Sequence, residues 1–173
     1  MLFELSLKYS PDLLHTFVLD FDGGSLASLA AMPHCAGYVT DADENEVEDL
    51  LNYIQTMISE RRKLFSQNHC ANYESYNSMV EEKIPMILLV LDNYAEFREK
   101  TYSCEDILLN IVSSARSCGI YFVVTGNSKG AIYYKMLDQI SEKIVLNMND
   151  HMSYRDILNV SIQIQPEQCK GRG

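Results

Sequence analysis

Met86-Ile87-Leu88-Leu89-Val90-Leu91-Asp92-Asn93 has no polar side chain until its last two residues. A strand with one wet face would alternate. A continuous apolar run of this length, opened by Pro85 and closed by an acid, suits a strand buried on both faces of a parallel sheet. Two more runs have the same form: Phe17-Val18-Leu19 leading into Asp20-Phe21-Asp22, and Ile120 to Val124 leading into Thr125. Tyr38-Val39 adds a short strand, and Lys143 to Leu146 is a further candidate.

Helical patterns lie between these runs. Over residues 43 to 67, Val47, Leu50, Leu51, Ile54, Met57, Ile58, Leu64 and Phe65 recur every three or four positions, which predicts one long amphipathic helix. Its acidic first turn and its later Arg61-Arg62-Lys63 suit the helix dipole. A second helix is predicted over Tyr73 to Val80 and a third over Cys104 to Ser117, with Gly119 as its left-handed cap. Strands alternating with helices indicate an α/β domain with a largely parallel sheet. Without an internal repeat or linker, residues 1–173 are expected to form a single domain.

Composition narrows the function. The 173 residues carry 14 Lys+Arg against 24 Asp+Glu, a formal charge of −10. Such a chain repels phosphate backbones, so nucleic acid is not an expected partner. No apolar run approaches the roughly 18 residues of a membrane span, and no signal peptide opens the chain, so this segment is not expected to insert into a membrane. Five scattered cysteines without a C-x-x-C pair fit reduced, cytoplasmic thiols. Asp41, Asp43 and Asn45 have the spacing of a calcium loop, but Glu46 replaces its turn glycine and Asn52 its last ligand, so calcium is set aside. The four histidines have no metal spacing, and His34 is expected to cap its own turn. No nucleophile, histidine and acid occur in a known triad context.

In open parallel sheets ligands lie beyond the carboxyl ends of the strands. The residues to inspect are therefore Asp20 and Asp22, Asp92 and Asn93, and Thr125 and Asn127. An apolar strand ending in Asp, as at Asp92, is the form of a Walker B strand, whose carboxylate holds a nucleotide-bound Mg²⁺. An Asp that only caps a loop has the same pattern. A third reading places a metal among Asp20, Asp22 and Asp92 in a stand-alone α/β enzyme or binding protein.

The order of the pieces resembles the FtsK/SpoIIIE ATPase family. The matching residues are Leu19-Asp20-Phe21-Asp22-Gly23-Gly24, Met32-Pro33-His34, Glu60 to Phe65, Asn72-Tyr73 with Tyr76-Asn77, Ile84-Pro85 before the Walker-B-like strand, and Ala115 to Ile120. Asp92-Asn93-Tyr94, Tyr154 to Leu158 and Gly171-Arg172-Gly173 are similar to the tandem C-terminal modules of its type VII secretion branch, the EssC/YukB proteins of Firmicutes. The resemblance implies a RecA-like P-loop NTPase core, a largely parallel sheet flanked by helices. It implies a cytoplasmic domain of a membrane-anchored bacterial protein. It implies neighbouring ATPase modules of the same chain, WXG100-type secretion substrates and a hexameric parent.

The departures shape the functional expectation. No G-x-x-x-x-G-K-S/T phosphate loop occurs in the 173 residues. Leu2 to Tyr9 resembles the end of the helix that follows that loop in the family, so the first strand and P-loop are expected to be missing and the domain truncated. Asn93 stands where the family has its catalytic carboxylate, and an amide cannot accept the proton of an attacking water. Asp92 keeps a weak Mg²⁺ role, and Thr125 keeps the hydroxyl of the family's sensor. Asp92, Asn93 and Thr125 thus make a vestigial nucleotide site. Arg116 is either a trans contact to a neighbouring module's phosphates or a surface arginine paired with acids.

The expectation is an inactive, degenerate module with a regulatory, assembly or substrate-recognition role in secretion. ATP and Mg²⁺ belong to the parent protein, with no cofactor held tightly here. The alternative is an active ATP-hydrolysing translocase, for protein or DNA, whose Walker A loop lies upstream.

Overall fold

Strands β1 (Leu14–Asp20), β2 (Cys35–Thr40), β3 (Met86–Asp92) and β4 (Ile120–Val124) form one all-parallel sheet in the order β2-β1-β3-β4. The computed structural model describes residues 2–127 and 130–146, together with Tyr154, Ile157 and Leu158. The chain divides into two compact units, Met1–Asn127 and Ser128–Gly173. Arg155 and Asp156 of the Tyr154 to Leu158 match and Gly171 to Gly173 lie outside the described residues, as do His151 and Cys169.

In the first unit β3 is central and apolar from Met86 to Leu91 because both of its faces are covered. On one face Leu14 and Val18 of β1 meet Leu88 and Val90 of β3, under Leu2 and Leu5 of helix α1 (Leu2–Lys8) and Leu26 and Leu29 of the turn after β1. On the other, Phe17 packs beneath helix α2 (Glu44–Gln67), its ring centroid 5.9 Å from that of Tyr53. Close approach there needs Gly37, since a Cβ on it would stand 2.8 Å from the Phe17 ring. Helix α2 starts at Asp43, whose carboxylate accepts the Asn45 amide.

Helix α3 (Tyr73–Met79) opens with a capping box made by Asn72 and Ser75. Helix α4 (Tyr94–Lys100) was not expected: seven residues with only Tyr94 and Phe97 buried are too short for a periodic signal. The predicted third helix is instead α5 (Glu105–Ala115) between single 3₁₀ turns at Tyr102–Cys104 and Arg116–Cys118. Gly119 is left-handed as expected, with φ 71°.

In the second unit, helix α6 is Tyr134–Leu137, with Met136 buried. The strand expected at Lys143 to Leu146 is not formed; Ile144 and Leu146 are 81% and 51% exposed. An apolar run becomes a strand only where a neighbour accepts its backbone bonds, and no ladder forms there.

Candidate functional site

The register pairs Asp20 directly with Asp92, so two acids stand level at the carboxyl ends of adjacent central strands. Their surroundings give them different work. Asp20 is fully buried. It accepts the backbone N–H groups of Asp22 (3.2 Å), Gly24 (3.3 Å) and Leu26 (2.8 Å) and the Tyr38 hydroxyl (2.8 Å). Burial pushes this carboxyl upward, but the bonds from Leu26, Tyr38, Asp22 and Gly24 outweigh it and hold Asp20 below the ordinary carboxylate value. Burial, and then its bond to Asp20, pushes the Tyr38 phenol up to about 12.

With Asp20 as its anchor, the loop after β1 folds back across the strand ends. Gly23 and Gly24 adopt φ 64° and 83°, values that glycine takes freely. The loop delivers Ser25 to Asp92: Ser25 Oγ donates to Asp92 Oδ2 at 2.7 Å. On the opposite side Thr125 Oγ1, just past β4, donates to Asp92 Oδ1 at 2.5 Å. The same Thr125 oxygen accepts the Asn93 N–H at 2.9 Å. The Asp92 carboxylate is therefore held by a hydroxyl on each oxygen.

Asn93 has φ 62°, a left-handed conformation that asparagine tolerates better than most residues. Its amide reaches back to β1, donating to the Phe21 carbonyl at 3.3 Å, while its Oδ1 is buried and accepts no bond among the described residues. The side chain thus ties the end of β3 to the end of β1.

Of the residues predicted from sequence, Asp92, Asn93 and Thr125 are brought together and Asp20 lies beside them as a structural anchor. Asp22 and Asn127 are exposed at the same end. The three-aspartate metal centre is not supported: Asp20 spends its carboxylate on four donors, and no group of three His, Cys, Asp or Glu able to hold a metal exists among the described residues. A single Mg²⁺ at Asp92 is a different matter, because that carboxylate is a hard-oxygen donor with the Thr125 hydroxyl oxygen beside it. Arg116 is exposed in the turn before β4, at the opposite end of the sheet, so it does not serve Asp92 of its own chain. His34 does not cap its turn; its Nε2 lies 2.8 Å from the Tyr9 carbonyl and so links the end of α1 to the turn before β2.

Sequence reasoning missed Ser25, whose hydroxyl acts 67 positions away. It also misjudged Arg61. This residue is buried, donating to the Cys118 carbonyl at 2.7 Å and the Pro85 carbonyl at 2.6 Å beneath the Tyr73 ring. Several of the motifs quoted above, around Arg61, Tyr73, Pro85 and Gly119, meet in this one structural knot at the amino ends of β3 and β4.

The model of the FtsK/SpoIIIE family matches residues 1–163. The chain is 29% identical over 142 residues to the ESX secretion system protein YukB of Bacillus subtilis (strain 168), covering 82% of this chain and 10% of that protein. It is 26% identical over 174 residues to the type VII secretion system protein EssC of Staphylococcus aureus (strain MRSA252), covering 99% of this chain and 12% of that one. The chain thus spans about a tenth of the length of these curated relatives. Its fold is similar to that of EssC (ATPases 2 and 3) from Geobacillus thermodenitrificans, with a TM-score of 0.86 and 25% identity over 94% of this chain and 31% of that one.

Proposed function

This chain belongs to the FtsK/SpoIIIE family and is homologous to the ATPase domains of type VII secretion proteins, and from that premise we propose that it is a degenerate module of such a motor. Its role is regulation, assembly or recognition of secreted substrates of the WXG100 type, and not the turnover of ATP. It works on the cytoplasmic side of the membrane beside other ATPase modules; among the described residues, no helix is long and apolar enough to cross a membrane.

The observation that carries this reading is Asn93. Hydrolysis of a nucleotide needs a group that positions the attacking water, and a carboxylate in that place also accepts its proton. At the position after the Walker B aspartate this chain has an amide, which accepts no proton, and that amide is turned back onto the Phe21 carbonyl. The cation side of the site is better kept. Asp92 is the group to hold Mg²⁺, with the Thr125 hydroxyl beside it, and the ion would supply charge against phosphate oxygens. Thr125 fixes the orientation of Asp92, and Asp20 fixes the loop that bears Ser25. A module built this way keeps part of a binding site without the proton acceptor. No G-x-x-x-x-G-K-S/T segment is present in the 173 residues to cradle the phosphates.

The test is an equilibrium binding measurement between the purified chain and the purified secreted substrates of its own gene cluster, run with and without ATP and Mg²⁺. Saturable binding of one substrate supports recognition. Absence of binding removes recognition and leaves regulation and assembly.

A further inference from the structure

Asp92 offers a cation two oxygens, and both already accept a hydroxyl proton. The two hydroxyls are not held alike. Thr125 stands at the end of β4 and is fixed twice, donating to Asp92 while accepting the Asn93 N–H. Ser25 is exposed on a loop that follows two left-handed glycines, with open space where their Cβ atoms would be. Among the described residues its hydroxyl is held only by its bond to Asp92 Oδ2, and the loop's position comes from the bonds of Asp20 to the Asp22, Gly24 and Leu26 amides. A cation approaching the carboxylate therefore meets one fixed donor and one removable donor.

We infer that Ser25 is an internal gate on the Asp92 cation site: its hydroxyl occupies Oδ2, and a divalent cation binds only by displacing it. The inference rests on the reading of Asp92 as a cation-holding group. Hydrogen bonds to ionised groups are among the stronger ones. Giving one up weakens cation binding by the same factor that removing the donor would restore.

The experiment is a titration of the full 173-residue chain with Mn²⁺ alone, followed by the loss of the free-ion electron paramagnetic resonance signal. Ser25→Ala is expected to bind Mn²⁺ roughly tenfold more tightly than the parent chain. Ser25→Thr, which keeps the hydroxyl, restores the parent affinity. Asp92→Asn abolishes binding in both the parent and the Ser25→Ala background. Weaker binding by Ser25→Ala makes the hydroxyl a ligand and overturns the gate, as does unchanged or undetectable binding. Binding that survives Asp92→Asn instead overturns the reading of Asp92 itself, so the two failures are distinguishable.

Discussion

Thr125 Oγ1 donates to Asp92 Oδ1 at 2.5 Å and accepts the Asn93 N–H at 2.9 Å, so one hydroxyl fixes both residues at the end of the central strand. Thr125→Val keeps the shape and removes both bonds, leaving a carboxylate oxygen and an amide short of a partner. The expected loss is about 2 kcal/mol in urea unfolding. Thr125→Ser should recover most of it.

Asn93 sits at φ 62° and bonds the Phe21 carbonyl. Asn93→Ala puts a Cβ-bearing residue without a helpful side chain into the left-handed region, at a cost of about 1–2 kcal/mol, with the lost bond in addition. Asn93→Gly relieves the backbone part and should be the milder change in the same unfolding assay. Asn93→Glu should not generate turnover, because the backbone there and the turned-in side chain are not set for a carboxylate aimed at a water.

Asp20 gives the fold a defined acid limit. Its carboxyl lies below the ordinary value in the folded chain, so its contribution is complete above the unfolded value near 3.8 and is lost as pH falls through the lower folded value. Unfolding free energy should therefore fall below about pH 4 in the parent chain. Asp20→Asn should be about 3 kcal/mol less stable at pH 7, since its amide cannot accept all four bonds, and its acid slope should be shallower. Urea titrations between pH 2.5 and 7 measure both effects.

The knot at the other end of the sheet is predicted to matter for stability and not for the site. Arg61→Met leaves the Cys118 and Pro85 carbonyls without their donor and should cost about 3 kcal/mol. Gly119→Ala must place a Cβ 2.3 Å from the Tyr73 ring at a positive φ, so it should be at least as damaging. Where these variants remain folded, their Mn²⁺ affinity should equal that of the parent.

These residues also mark how far the sequence could be read. Strand β3 was legible because burial on both faces leaves no alternation, and the same logic found β1 and β4. The level pair Asp20 and Asp92 could be expected at the strand ends, but their different roles could not. Those roles depend on which donors the loop brings, and the Ser25 hydroxyl and the Tyr38 phenol leave no periodic trace. By sequence Arg61 belongs to the basic stretch that suits the helix dipole; the convergence of Tyr73, Pro85 and Cys118 shows why it is buried. The amide at position 93 was visible from its identity, whereas its turn toward Phe21 required the backbone. Lys143 to Leu146 had strand composition but no ladder to join.

The central claim, that this module does not turn over ATP, is tested most directly by steady-state phosphate release from ATP and Mg²⁺ by the purified chain, with Asp92→Ala measured beside it. The account predicts that the parent chain and the variant are indistinguishable from buffer. Phosphate release by the parent chain that Asp92→Ala abolishes would contradict it.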